Sequence, residues 1–187
     1  MDKIFLSSWE SLRQIIAAGQ NDWGSLHPVI VHAPVALLFI APLFILIGLS
    51  SQKSAKIFYI CAFILLLTGT LSIYLAVSTG ERASEHLQLS SDAIKTLELH
   101  DRLGMVMRLN FTILTSIFLT YLILNSFFIR KFSPKIHRWG ITLFLIIYAC
   151  HLLLLINTAH QGGKLVHHHG ITSQLYKNSP STAIHPK

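Results

Sequence analysis

Residues 29–50 read VIVHAPVALLFIAPLFILIGLS, a run without any Asp, Glu, Lys or Arg. A helix of that length crosses the ~30 Å hydrocarbon core of a bilayer, since each residue adds about 1.5 Å. Three further runs qualify, at 57–80, 103–129 and 140–159, and the only charged side chain among them is Arg108. Lipid offers no partner for open backbone groups, so each run must be helical. The sequence therefore predicts an all-α fold, a four-helix transmembrane bundle.

Pro34 and Pro42 lie inside the first run. Each proline removes a backbone N–H and leaves the carbonyl one turn earlier without its helical partner. We expect a kink in this span, and we expect neighbouring helices to satisfy the freed carbonyls.

The composition supports a membrane protein and excludes other classes. Of the 187 residues, 52% are hydrophobic and 12% are charged, against about 25% charged in an ordinary soluble domain. This balance argues against a soluble globular domain and against disorder. The chain has only 2 cysteines, which excludes a scaffold built on disulfides.

The charges predict the orientation of the bundle. The connection between the first two runs and the connection between the last two are basic and contain no acid; their cations are Lys53, Lys56, Arg130, Lys131, Lys135 and Arg138. All 8 acids fall in the N-terminal segment, the 81–102 connection or the C-terminal tail. By the positive-inside rule the basic connections are cytoplasmic, which places both termini on the outer side of a bacterial inner membrane. Because the basic charge reports topology, we infer no nucleic-acid partner.

The chain divides into three segments. Residues 1–26 form an amphipathic N-terminal segment, 27–163 the transmembrane domain and 164–187 a His-rich polar tail. In the first segment, apolar residues recur at helical spacing, namely Phe5, Trp9, Leu12 and Ile16. This pattern predicts a helix that either lies on the outer membrane surface as an interfacial helix or packs on the protein's own outer loops.

Every one of the 11 histidines except His137 falls toward the outer side of this topology. They are His27, His32, His86, His100, His151, His160, His167, His168, His169 and His185. Polar groups inside a bilayer are expensive and usually functional. The one-sided placement therefore predicts a site near the outer face.

His32, His100 and His160 lie near the outer ends of three different spans. Imidazoles at matched depth on facing helices can ligate one haem iron from both sides, or can hold a divalent metal. His151 lies ~12 Å deeper than the outer end of its span. It is opposite His160 on an unbroken helix, so at most one of the two faces a common site, unless the glycines at 162–163 end the helix early.

Several of these residues also have a structural interpretation. His151 can be a hydrogen-bond partner between helices, and His27 can cap the first helix. The triplet 167–169 can be a solvated tail with adventitious metal affinity. Arg108 either pairs with a carbonyl or with a carboxylate such as Asp101, or it meets a haem propionate or a quinone oxygen.

Residues 27–38 read HPVIVHAPVALL and resemble the H-P-x-x-V-H-F-P-I-A-L-L opening of the bacterial domain-of-unknown-function 2231 family. Similar stretches follow at 78–80 (STG), at His100 with Gly104, and at 160–170 (HQGGKLVHHHG), where both His167 and His169 fit a closing histidine of the family. Ala33 stands where the family usually has Phe. The resemblance covers roughly residues 26–170.

The resemblance implies a four-span inner-membrane protein in a redox context. Some relatives are fused to cytochrome c-like or other redox modules, and haem binding has been suggested for the family. The matching motifs place the emphasis on His27, His32, His100 and His160.

The leading hypothesis is an electron-transfer subunit rather than a stand-alone enzyme, with no catalytic residue assigned. It binds haem b, held without a C-x-x-C-H attachment, and relays electrons between membrane quinol and an outer-side partner such as a cytochrome c-like protein. The axial ligands are His32 and His100, with His160 as the substitute for either. Candidates to neutralise the propionates are Arg108, Arg102 and Lys164.

Two other functions stay open. One is a Cu or Zn module built from outer-side histidines; its candidate ligands are His32, His100, His160, His167 and His169. The other is a structural subunit or anchor, in a homo-oligomer or a larger membrane complex, whose histidines serve helix packing.

Overall fold

The computed structural model describes residues 2–51, 53–85, 87–128 and 133–172. The helices in these ranges are α1 (Asp2–Asn21), α2 (His27–Ile30), α3 (His32–Ser50), α4 (Ala55–Ser84), α5 (Ser91–Phe128) and α6 (Pro134–His167). A 3-10 turn over Trp23–Leu26 joins α1 to α2. The described residues include 4 helical segments long and apolar enough to cross a membrane, namely Trp23–Ser50, Ala55–Ser84, Ser91–Leu124 and Pro134–His167. The predicted all-α fold of four spans and an N-terminal helix is confirmed.

The long helices run antiparallel around a shared core. α3 packs on α4, α4 on α5 and α5 on α6, while α6 also contacts α3. Leu38, Leu66, Phe111 and Tyr148 contribute one fully buried side chain from each of the four. We call the end where α2 and α5 begin and α4 and α6 end the histidine end. The end where α3 and α5 end and α4 and α6 begin is the basic-loop end.

The helices extend beyond the predicted spans at the histidine end. α5 begins at Ser91, so part of the predicted 81–102 connection is helical. α6 runs through the glycines at 162–163 and ends only at His167. The glycine pair does not end the helix, because Gly162 is packed inside the bundle against the ring of His100.

One proline of the first span, Pro42, frees a backbone carbonyl that a neighbouring helix satisfies, as predicted. Pro42 lies inside α3 and frees the carbonyl of Leu38. Tyr148 of α6 donates its hydroxyl to that carbonyl at 2.8 Å, so a neighbouring helix satisfies the freed acceptor. The break between α2 and α3 at Val31 lies one turn before Pro34, which is consistent with a second interruption of the helical ladder.

The N-terminal helix keeps its apolar face exposed. α1 contacts the 3-10 turn, where Gly19 packs closely against Leu26. Trp9, Leu12 and Ile16 are 53%, 51% and 61% exposed, while the side chain of Phe5 lies outside the described residues. Within the described part of the chain, no loop covers this face. This arrangement favours the interfacial alternative over packing on the protein's own loops.

Candidate functional site

The structure brings two histidines together at the histidine end of the bundle. His27 begins α2 and His100 lies near the start of α5. Their ring centroids are 6.3 Å apart and the ring planes are nearly perpendicular, at 89°. Both side chains are half-buried. These two residues form the centre of the candidate site.

Backbone carbonyls of two neighbouring helices hold the two rings. His27 Nδ1 lies 2.9 Å from the carbonyl oxygen of Ala76 on α4, with the hydroxyl of Thr79 at 3.2 Å. His100 Nδ1 lies 3.0 Å from the carbonyl oxygen of Thr158 on α6. A carbonyl can only accept, so Nδ1 carries the proton in both rings. In the tautomer with the proton on Nδ1 alone, each ring has a lone pair on Nε2, and no described residue hydrogen-bonds to either Nε2 atom.

A glycine lies against each ring, one helical turn after the carbonyl that holds it. A Cβ atom on Gly80 would come 3.0 Å from Cε1 of His27, and a Cβ atom on Gly162 would come 3.1 Å from Cε1 of His100. Gly80 follows Ala76 on α4 in the same way that Gly162 follows Thr158 on α6. The pair α2–α4 and the pair α5–α6 therefore repeat one arrangement, in which a histidine donates to a carbonyl and rests on the next glycine face.

A cavity of about 160 Å³ adjoins the two histidines. Its lining includes charged side chains of both signs, Asp22, Arg82 and Asp101, and it is otherwise mostly small or apolar. Among the described residues that line it, Arg82 is the only Lys or Arg. Arg82 also forms an ion pair with Glu85 at 2.7 Å, at the exposed edge.

The other predicted ligands lie outside this centre. His32 and His160 are exposed and do not line the cavity. His151 is half-buried; its Nδ1–H donates to the carbonyl of Ile147 on its own helix at 2.7 Å, and its ring contacts Phe111. A ligand role for His32, His160 and His151 is still a prediction. The geometry favours His27 and His100 as the ligand pair.

The tail histidines and Arg108 are also dispersed. His167 is exposed at the end of α6, and His169 places Nε2 3.1 Å from the hydroxyl oxygen of Thr96. Arg108 lies on α5 against α4, with its guanidinium carbon 5.6 Å from the ring centroid of Tyr74. His86 and His185 lie outside the described residues. The described ranges hold no group of three or more His, Cys, Asp or Glu arranged to bind a metal ion.

Helix geometry could have separated His27 from His32 in the sequence. Their spacing turns them by about 140° around a continuous helix, so only one can face a given site. The glycines at 80 and 162 are a second sequence signal for His27 and His100, because an imidazole ring can approach a helix most closely where a Cβ is missing.

A single histidine, His137, lies between two tyrosines at the basic-loop end. His137 Nδ1 lies 2.9 Å from the hydroxyl of Tyr121, and its Nε2 lies 3.4 Å from the hydroxyl of Tyr59. Tyr59 is fully buried. Both ring nitrogens of His137 are therefore engaged by phenols, which leaves neither for a ligand.

Comparison with known proteins gives one match. Residues 24–175 match a protein family described as predicted membrane protein (DUF2231). This range includes the site at both of its histidines and agrees with the extent of the resemblance seen in the sequence. No curated protein and no solved structure matches the chain.

Proposed function

The chain belongs to the DUF2231 family of predicted membrane proteins, and from that premise we propose that it binds haem b between His27 and His100. In this proposal it relays electrons between membrane quinol and a redox partner outside the cell membrane. The observation that supports it most is the pair of rings with matching anchors. Each donates its Nδ1 proton to a backbone carbonyl, neither Nε2 has a partner among the described residues, and the centroids are 6.3 Å apart.

The donor set fits haem better than a bare ion. A structural Zn site takes about four protein ligands and a catalytic one about three, whereas a haem iron already has its four macrocycle nitrogens and needs only axial ligands. Two imidazoles without a third nearby ligand therefore favour haem over Cu or Zn.

The volume of the site sets a condition on binding. A cavity of about 160 Å³ is smaller than the ~300–1,000 Å³ typical of pockets for drug-sized ligands, and a porphyrin exceeds it. Haem binding therefore requires the α2–α4 and α5–α6 pairs to separate at the histidine end. Each histidine is anchored within its own pair, so the anchors can survive that separation.

The residues of the chain have defined tasks in this proposal. When bound, haem supplies a one-electron carrier. The carbonyls of Ala76 and Thr158 fix the ring orientation and tautomer of the histidines and raise their basicity toward a metal. Gly80 and Gly162 leave room for the rings. Arg82 is the cation of the cavity lining that is available to a propionate.

The charge distribution supports an orientation. Lys53 and Lys56 stand at the basic-loop end, as does Lys135. The positive-inside rule then places the histidine end on the outer side of the bacterial inner membrane, together with the N-terminus. A redox partner on that side would reach the haem without crossing the bilayer.

A structural subunit or anchor is the second candidate function. The same anchoring bonds tie α2 to α4 and α5 to α6, and the small cavity beside them is consistent with helix packing alone. In this case the protein binds no pigment.

An absorption spectrum of the detergent-purified protein from haem-replete cells tests the proposal. We expect a Soret band and split bands on reduction, both abolished by His27→Ala and by His100→Ala. His32→Ala and His160→Ala are the matched controls, since both side chains are exposed, and they should keep the spectrum. A colourless wild-type protein refutes haem binding and favours the anchor. If the control variants lose the spectrum and His27→Ala keeps it, the ligands are those that the sequence favoured, His32 and His100 with His160 as the substitute.

A further inference from the structure

Arg108 is a cation placed in the third span without a counter-charge. It lies roughly 12 Å below His100 along α5 and roughly 9 Å below Arg102, the last charged residue before the apolar run. The ion pairs among the described residues are Arg82–Glu85 and Lys95–Asp92, and none involves Arg108. No hydrogen bond from its guanidinium to a described residue is present. A charge at this depth is costly and marks a functional position by default.

Tyr74 holds the guanidinium at this depth. The guanidinium carbon lies 5.6 Å from the centroid of the Tyr74 ring, and that ring is 44% exposed. Thr112 donates its hydroxyl to the carbonyl of Arg108 at 2.7 Å, so its oxygen accepts from the Tyr74 hydroxyl at 3.0 Å. Tyr74 is thereby fixed, and its donor is used. The guanidinium lies beside this ring, and its N–H donors have no hydrogen-bond partner among the described residues.

A groove continues from this cluster toward the middle of the bilayer. It has a volume of about 350 Å³ and is lined by Thr112, Ile113, Ser116, Ile117 and Thr120. The hydroxyls of the three polar residues all donate to carbonyls of their own helix, one turn earlier. Their donors are therefore used, and the groove suits an apolar chain. The surface thus combines a cation and an aromatic face at one end with a shallow groove along α5 at the other.

We propose that Arg108, Tyr74 and Thr112 form the headgroup end of a binding site for an isoprenoid quinone. The ring carbonyl accepts from the Arg108 guanidinium, the flat ring lies beside Tyr74, and the tail follows the groove. A phospholipid phosphate has the same acceptor chemistry but stays at the interface, above this depth. A quinone carries its acceptor oxygens into the hydrocarbon. The identity of the ligand rests on the proposed function, which requires quinol; the proposal here concerns binding only.

Photolabelling of the full chain in phosphatidylcholine nanodiscs tests this site. The probe is an azido-benzoquinone with a decyl tail, and cross-linked peptides are mapped by mass spectrometry. We expect labelling of segments around Tyr74 and Thr112–Thr120, and competition by decylubiquinone but not by added phosphatidylglycerol. Arg108→Leu should weaken the labelling about ten- to hundredfold, as expected for loss of a charged hydrogen bond. Arg102→Leu, the matched control, should leave it unchanged.

Further variants separate this proposal from protein stability and from haem. Arg108→Lys keeps a positive charge at a position where the fold already accommodates one, and it should retain part of the labelling. The double variant His27→Ala, His100→Ala should be labelled like the wild type, because the site does not include those rings. Labelling that is unaffected by Arg108→Leu, or that phosphatidylglycerol competes away, overturns the quinone site. A wild type without a haem spectrum that is still labelled refutes haem binding and leaves this site standing.

Discussion

The two ends of the bundle use histidine in opposite ways. At the histidine end, His27 and His100 each spend one nitrogen on a backbone carbonyl and keep the other free of described partners. At the basic-loop end, His137 spends both nitrogens on the hydroxyls of Tyr121 and Tyr59. Residue type is the same at both ends. The difference teaches that an imidazole becomes a candidate ligand when its anchor uses one nitrogen only.

The two ends of the bundle also differ in how the space around their histidines is filled. The basic-loop end is filled by aromatic rings, with Tyr59 against Phe118 and Tyr121, and Phe118 stacked on Phe144. The histidine end has glycines under its rings and a cavity beside them. The basic-loop end is therefore filled by aromatic rings, while the histidine end keeps a small cavity beside its rings.

Replacing one histidine at each end by phenylalanine gives the largest expected effect. If haem is bound as proposed, His100→Phe should abolish its spectrum completely, since one of the two proposed ligands is removed. His137→Phe should keep the spectrum but lower the free energy of unfolding by about 1–3 kcal/mol, because the buried Tyr59 and the half-buried Tyr121 lose their hydrogen-bond partner. SDS-driven unfolding in mixed micelles and absorption spectra measure the two quantities on the same samples. A spectrum lost in His137→Phe would show that the two ends are not independent.

The glycines of α6 give a matched pair with a smaller effect. Gly162→Ala places a methyl group 3.1 Å from the His100 ring, whereas Gly163→Ala meets nothing within 4 Å. Both changes gain similar helix propensity, up to about 1 kcal/mol. The difference between them therefore isolates the contact, which we expect to destabilise by about 1–3 kcal/mol and to weaken haem binding. Equal unfolding and haem titration curves for the two variants would show that the ring does not depend on the bare glycine face.

Much of this architecture was predictable from the sequence, because hydrophobic length and charge asymmetry act locally. The runs at 29–50 and 57–80 lie within Trp23–Ser50 and Ala55–Ser84. Pro42 predicted a carbonyl in need of a donor, although only the structure identifies Tyr148 as that donor. The family of the chain followed from the HPVIVH motif and is confirmed.

The choice of histidines was harder to predict, because it depends on contacts between distant segments. The sequence favoured His32 by its depth, but depth does not specify the direction of a side chain around the helix. His27 faces the site because Ala76 and Gly80, far away in the sequence, offer a carbonyl and a bare backbone face. The stretch of α4 that holds His27 and the stretch of α6 that holds His100 share only a glycine in sequence, Gly80 and Gly162. The sequence therefore shows no internal repeat.

The middle of the bundle can be weakened without changing either end. Tyr148→Phe removes the donor to the Leu38 carbonyl, which Pro42 has left without a helical partner. We expect a loss of about 1 kcal/mol, within the range measured for hydrogen bonds in membranes. In a Pro42→Ala background the helix supplies its own N–H, so the same change should have little effect. A double-mutant cycle by SDS unfolding measures this coupling, and additive effects would contradict it.

The smallest expected effect concerns the one ion pair at the edge of the cavity. Arg82 and Glu85 are in contact at 2.7 Å, but their side chains are 56% and 47% exposed. Water and salt screen such a pair, so Glu85→Gln should change the free energy of unfolding by less than about 0.5 kcal/mol, and less still in 1 M NaCl. Asp92→Asn, which breaks the more exposed Lys95–Asp92 pair, is the control. If Glu85→Gln instead destabilises the protein as much as His137→Phe does, charge pairing rather than imidazole–carbonyl anchoring holds the histidine end together. The contrast between the two ends would then have to be redrawn around Arg82, the only Lys or Arg among the described residues of the cavity lining.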